Sequence, residues 1–432
     1  MSFQASIAAL LLPTLLAGPR VLLNNSGRAE LRTRHPGDPV AGEFEPGDQA
    51  FDTDVVARFS LGLGWRRTQL ELAYEPRYTL NNFTEEETSD LLHSFSASAT
   101  HRWQRVTLSL SETVSIGTRR FTSFSAPFQP AEPAQPTDPG APPDPAQPTP
   151  PAQPPPDTAP GQAVVAPLSA DYFGTDTVLS SIVRLSPRST FSTSLSYAIA
   201  GGRDEEARRT IPRSSGPRAS AEYSTLVSRR DTLATGLEGT SVLTEGSGDL
   251  QTTRATTLTA RETWSRQWSM RTSTSLAGGV TFVPRNEEDD NSYVYPTGSA
   301  TVLTVLYSGR GARLDFTGIG AAEVVIDRLS GQTDPRATIN GRLTWTRGLL
   351  AMYGGAGWTR SLYPNRPNAV RVVFGDGGLR YQATPWIALE LGTRLSDQTV
   401  ESPEGVVLTS AAEGLQWTVF AAVSVQAPTL EL

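Results

Sequence analysis

The sequence predicts an all-β fold, a closed antiparallel transmembrane β-barrel of about 18 strands with short turns at one end and long loops at the other. Three observations carry that expectation. Long stretches alternate apolar and polar residues with a period of two, short and long connections succeed one another along the chain, and tryptophans gather beside the short ones.

The clearest alternation runs from Asp54 to Leu80. Val55, Ala57, Phe59, Leu61, Leu63 and Trp65 interleave with Val56, Arg58, Ser60, Gly62 and Gly64; Leu70, Leu72, Tyr74, Tyr78 and Leu80 then interleave with Glu71, Ala73, Glu75, Arg77 and Thr79. Side chains of a strand point alternately to opposite faces, so each half is a strand with one apolar and one polar face. Arg66 and Arg67 leave room for a tight turn between them. Soluble strands usually run about five or six residues. These are longer, and a tilted strand needs about nine to eleven residues to cross a bilayer.

The other elements follow in order. A less regular strand is predicted over Ser26–His35, and a second hairpin over Leu91–Arg102 and Val106–Thr118. Residues 124–167 are rich in Pro, Ala, Gln, Asp and Thr, a composition that favours polyproline II and cannot build a core, so they read as an inserted external loop. Further strands are predicted over Thr175–Leu185, Thr190–Ala200, Arg218–Ser228, Thr232–Leu243, Gln251–Trp264 and Trp268–Phe282. The series continues through Tyr293–Tyr307, Ala312–Asp327, Arg336–Thr346, Leu349–Arg360, Ala369–Gln382, Trp386–Ser396 and Thr409–Val425. No stretch with a helical period separates them. The barrel thus spans 26–425, with 426–432 as a tail.

Short turns are expected at Arg66 and Arg67, Gln104, Ser186 to Ser189, Arg229 and Arg230, Arg266 and Gln267, Gly309 to Gly311, Gly348, and Thr384 and Pro385. Barrels of bacterial outer membranes have short periplasmic turns, long external loops and an even strand number, and the parity closes if the first strand starts in the periplasm. Trp65, Trp103, Trp264, Trp268, Tyr307, Trp345 and Trp386 lie near these turns and read as a girdle at the membrane interface; aromatic pairs closing soluble hairpins are the plainer alternative. Arginines mark the short turns, whereas Glu85 to Glu87, Asp204 to Glu206 and Glu287 to Asp290 make the long loops acidic. Such loops could bridge lipopolysaccharide through divalent cations, or simply be solvated.

Composition supports the same class. Mean hydropathy is −0.28 and no long apolar run follows the N-terminus, which argues against a helical membrane protein but suits a barrel, whose hydrophobicity hides in alternation. The net charge of −7 counts against a nucleic-acid partner. Every basic side chain apart from three histidines is arginine, and the absence of cysteine excludes disulfides and thiolate metal sites. Residues 1–18 contain an apolar core of signal-peptide length, Ile7 to Gly18, without a basic n-region. Cleavage near Ala17 or Gly18 is the expectation; a misplaced start or a buried segment would look the same.

No motif for catalysis, phosphate or metal is present, and neither enzyme activity nor a cofactor is expected. His93 and His101 share the apolar phase of their strand and point outward, eight residues and roughly 26 Å apart. Of the three histidines, His35, His93 and His101, either of the latter two could serve an outer-wall hydrolase, but no acidic or amide partner shares that face. The polar phase is richer. Arg58, Glu71, Glu75, Arg77, Arg271, Asp315, Glu323, Arg342, Glu390 and Arg394 fall on the polar side of their strands. In a barrel of this size they would line an aqueous lumen, either acting on solutes or pairing with one another.

On these alternations and turns the chain resembles eighteen-stranded outer-membrane barrels as a class. The lack of lysine, the Pro/Ala-rich insertion and the compact chain are also similar to barrels that export exopolysaccharide across the outer membrane of myxobacteria. That resemblance implies a conduit in contact with outer-membrane lipid and lipopolysaccharide, supplied by a separate periplasmic polysaccharide-export protein. A general diffusion porin and a structural or adhesive surface barrel are the competing expectations. The last strand presents Leu415, Trp417, Val419, Ala421 and Val423 on one face but departs from the usual barrel ending, because QAPTLEL follows it.

Overall fold

The computed structural model describes residues 20–35, 38–39, 50–81, 88–123, 164–245, 252–285, 291–326, 333–363, 369–401 and 412–431. The candidate signal segment, most of the Pro-rich insertion and the acidic stretches at 85–87 and 287–290 lie outside these residues, as does the side chain of His35.

Eighteen long strands form one antiparallel ring. They are β1 Arg20–His35, β2 Ala50–Gly64, β3 Thr68–Asn81, β4 Thr88–Arg102, β5 Val106–Ser123, β6 Val164–Ser186, β7 Ser189–Gly202, β8 Ser214–Leu226 and β9 Asp231–Thr244. The second half comprises β10 Thr253–Ser269, β11 Thr272–Val283, β12 Tyr293–Gly309, β13 Ala312–Ile326, β14 Thr333–Arg347, β15 Leu350–Ser361, β16 Ala369–Thr384, β17 Ile387–Glu401 and β18 Ala412–Gln426. Each strand pairs with its sequence neighbours, and β1 pairs with β18 from Ser26↔Gln426 to His35↔Trp417, which closes the ring. Closure leaves no strand edge unpaired. The tail adds a short extension of this seam, with Leu22 and Leu23 opposite Glu431 and Leu430.

The register fixes two faces. Phe59, Leu72, Leu195, Ile339 and Leu391 are 50–61% exposed on one of them, the arrangement of a wall that faces lipid. On the other face, side chains reach over an intervening strand: Arg28 on β1 meets Glu390 on β17 at 2.9 Å across β18, and Tyr353 on β15 donates to Glu390 at 2.9 Å across β16. Such reach is short on the concave side of a curved sheet. This is the inner wall.

Short turns alternate with long connections as expected, with one displacement. β10 continues through Trp268 to Ser269, and the turn is Met270–Arg271 rather than Arg266 and Gln267. A bulge between Gln267 and Ser269 adds a residue to one strand of the pair, and an extra residue breaks the alternation from which the turn was read. At Arg310 and Gly311 both φ angles are positive, 53° and 73°, as a two-residue type I′ hairpin demands.

Two further differences concern where strands begin, β1 at the short-turn end, where Arg20 stands opposite Gly64, and β6 at the long-connection end. β1 begins six residues before Ser26, and β6 begins at Val164, inside the stretch that composition assigned to a loop. The expectation that no helix interrupts the strands is also corrected. A helix, α1 Glu205–Thr210, lies between β7 and β8, capped by the Asp204 carboxylate accepting from the Ala207 N–H at 2.7 Å. An N-cap acceptor with acidic residues in the first turn offsets the poor cooperativity of so short a helix.

Candidate functional site

The inner wall is the candidate site. Its charges come in groups that bridge strands. The largest group straddles the seam: Arg28 pairs with Glu30 and Glu390 at 2.9 Å each, Arg32 with Asp54 at 2.7 Å, and Arg77 holds the same Asp54 through both nitrogens of its fork, Nε at 2.9 Å. Thr79 donates to Asp54 Oδ1, the oxygen that also accepts from Arg77 Nε, at 3.2 Å. Next to it, Arg58 approaches Glu71 at 3.3 Å and Glu75 at 3.7 Å. Arg342 meets Asp376 at 3.6 Å and lies 4.4 Å over the Tyr353 ring, while Arg394 lies 5.1 Å over Phe420. Across the barrel, Arg218 pairs with Glu238 at 3.0 Å and Arg261 with Glu222 at 3.8 Å.

Between these groups the wall is hydroxyl-rich. Ser94, Ser96, Ser98 and Thr100 of β4 stand in register with Ser115, Thr113, Ser111 and Ser109 of β5. Ser94 and Ser115 bond at 2.9 Å, Thr100 and Ser109 at 3.1 Å, and farther round Thr190 and Ser224 at 2.7 Å and Ser265 and Ser275 at 3.0 Å. Paired charges cancel much of their outward field, and hydroxyls both donate and accept. Such a wall can hydrogen-bond a polar solute at many weak points without holding it at one.

Of the residues expected on this wall, Arg58, Glu71, Glu75, Arg77, Asp315, Arg342, Glu390 and Arg394 lie on the inner rows in the groups described, Asp315 with Arg313 at 2.8 Å. Glu323 stands opposite Arg336 in register. Arg271 does not join them: it occupies the Met270–Arg271 turn, because the bulge shifted the strand's end. Sequence reasoning missed Arg28, Glu30, Arg32 and Asp54, the centre of the largest group. The signal was present as alternating charges in GRAELRTRH, but Gly27 and Ala29 made the apolar phase faint.

The aromatic residues expected as a girdle lie toward the short-turn end. Trp65, Trp103 and Trp386 stand at turns, Trp268, Tyr307 and Trp345 at strand ends, and Trp264 deeper in β10, where its N–H donates to Asp231 at 3.2 Å. Trp358 and Trp417 stand on the outer face near the opposite end. His93 and His101 face outward. His93 bonds to the Tyr74 hydroxyl and His101 to the Thr68 hydroxyl, each at 2.8 Å, which gives both rings structural partners. Carboxylates interrupt the apolar outer face, among them Glu262, which accepts from Thr235 at 2.7 Å, and Glu112, level with Ala97 and Thr177.

The EpsX exopolysaccharide export family matches residues 17–427. The chain belongs to that family. No curated protein matches the chain. Among solved structures, the FrpB iron transporter from Neisseria meningitidis (F5-1 variant) is similar with a TM-score of 0.52 at 11% identity, covering 95% of this chain and 68% of that one. Its F3-3 variant gives 0.52 at 10% identity, over 95% and 67%. At such identity the likeness is one of fold.

Proposed function

We propose that this barrel sits in a bacterial outer membrane and is a conduit for polysaccharide export, with the short turns in the periplasm and the long connections outside. Membership of an exopolysaccharide export family is the observation that carries the reading. The inner wall supports it: a polymer rich in hydroxyls passes most readily along a surface of weak, repeated hydrogen bonds, and tight binding at any point would stall it. The polymer would reach the periplasmic mouth through a separate periplasmic export protein. The chain acts in this reading as a passage and catalyses no reaction.

Deleting the encoding sequence from its host should abolish cell-surface polysaccharide while other outer-membrane proteins persist, and complementation should restore it. Unchanged surface polysaccharide would sink the export reading. Purified barrel in planar bilayers should conduct in discrete steps; a conducting barrel in a strain that still exports normally would favour a diffusion porin instead.

A further inference from the structure

The connection between β7 and β8 turns inward. Leu92, Gly117, Tyr172 and Gly202 form one row across β4, β5, β6 and β7, on the inner face shared with Arg77. Against this row packs α1, whose Ala207, with Ile211 just beyond it, joins Leu92, Ala170, Tyr172 and Ala200 in a buried apolar cluster. The closeness depends on glycine. A Cβ on Gly202 would meet the Ala207 carbonyl carbon at 2.3 Å and the Arg208 nitrogen at 2.4 Å, so any side chain there would push the helix off the wall.

Polar ties hold it at both ends. Arg203 N–H donates to Asp171 O at 2.9 Å, the Arg213 guanidinium donates to the carbonyls of Gly202 and Arg203 at 3.0 and 2.9 Å, and Arg208 pairs with Glu245 at 3.5 Å. The same side of the ring is drawn inward elsewhere: β6 and β18, six strands apart, come within 8 Å at their Cα atoms. Six strand spacings of about 4.8 Å would keep them roughly 25 Å apart in an open circular ring.

We infer that α1 is a fixed constriction at the external end of the lumen and sets the largest cross-section that can pass. The inference rests on the conduit reading. An extended glycan chain slides past the helix; compact or branched solutes of similar mass are excluded, which lets a wide barrel export polymer without opening the cell to bulky external molecules.

The test uses the full-length barrel in planar bilayers. Replacing Asp204–Thr210 by Gly and Ser at equal length should raise single-channel conductance about twofold, as widening a hydrophilic pore does, and should admit large antibiotics to cells. Because the chain has no cysteine, Glu205→Cys offers a second approach with the helix left in place: thiol reagents of increasing size should lower its conductance in steps and leave the wild type unaffected. A conducting wild type whose current neither the replacement nor the thiol reagents change would overturn the constriction while leaving the conduit. Current absent from every variant would overturn both.

Discussion

Glu112 stands on the outward face of β5, between Leu110 and Val114, with Ala97 and Thr177 as its neighbours in register. With the barrel in a membrane as proposed, a carboxylate there would face acyl chains some six residues above the short turn. Substitution Glu112→Leu should therefore raise folding stability by about 1–2 kcal/mol, less than the ~2–4 kcal/mol that a cation costs at mid-bilayer. Urea unfolding in lipid vesicles measures it, and a loss of stability would show that Glu112 has a partner in the membrane. Its orientation was legible from alternation across Val106–Thr118 alone. The placement of Arg271 was not, since the bulge at Gln267 and Ser269 carries β10 on to Ser269 and moves the turn onto Met270–Arg271.

Among the elements, the seam between β1 and β18 joins the two ends of the chain. Loop closure over the whole barrel is the costliest pairing entropically, and the charge group around Asp54 sits beside it, tying β1, β2 and β3 together. Asp54 is 7% exposed, and so is its partner Arg32. Removing a buried partner strands the remaining charge at a cost of ~3–5 kcal/mol in a dry interior; the neighbouring lumen water lessens it. Asp54→Ala should then destabilise the barrel by roughly 2 kcal/mol, read as a lower temperature for the loss of its compact form on unboiled gels, and Asp54→Asn should recover part of that loss through the Thr79 contact. An unchanged transition would assign the group to the wall's electrostatics alone. Sequence reasoning named Arg77 but not its partners, because ion pairing joins strands whose neighbours only the closed ring defines. α1 was missed for another reason: six residues give too few turns for a helical period, and the acidic DEE run looked like any solvated loop.

For the whole molecule, the consequence of paired inner-wall charges is weak ion selectivity. With arginines and carboxylates interleaved around the lumen, cation and anion permeabilities should be nearly equal, so the reversal potential under a salt gradient should stay close to zero; a strong preference for either sign would mean that unpaired charge dominates the narrowest point. Strand number, the order of short and long connections and the inside and outside of most strands were all present in the sequence, because alternation and turn chemistry are local properties of consecutive residues. What tertiary structure decided was which charges meet, where the ring closes and that one connection folds into the lumen. Those depend on residues far apart in sequence, such as Arg28 and Glu390 or Tyr172 and Ile211, brought together only when eighteen strands curve into a single wall.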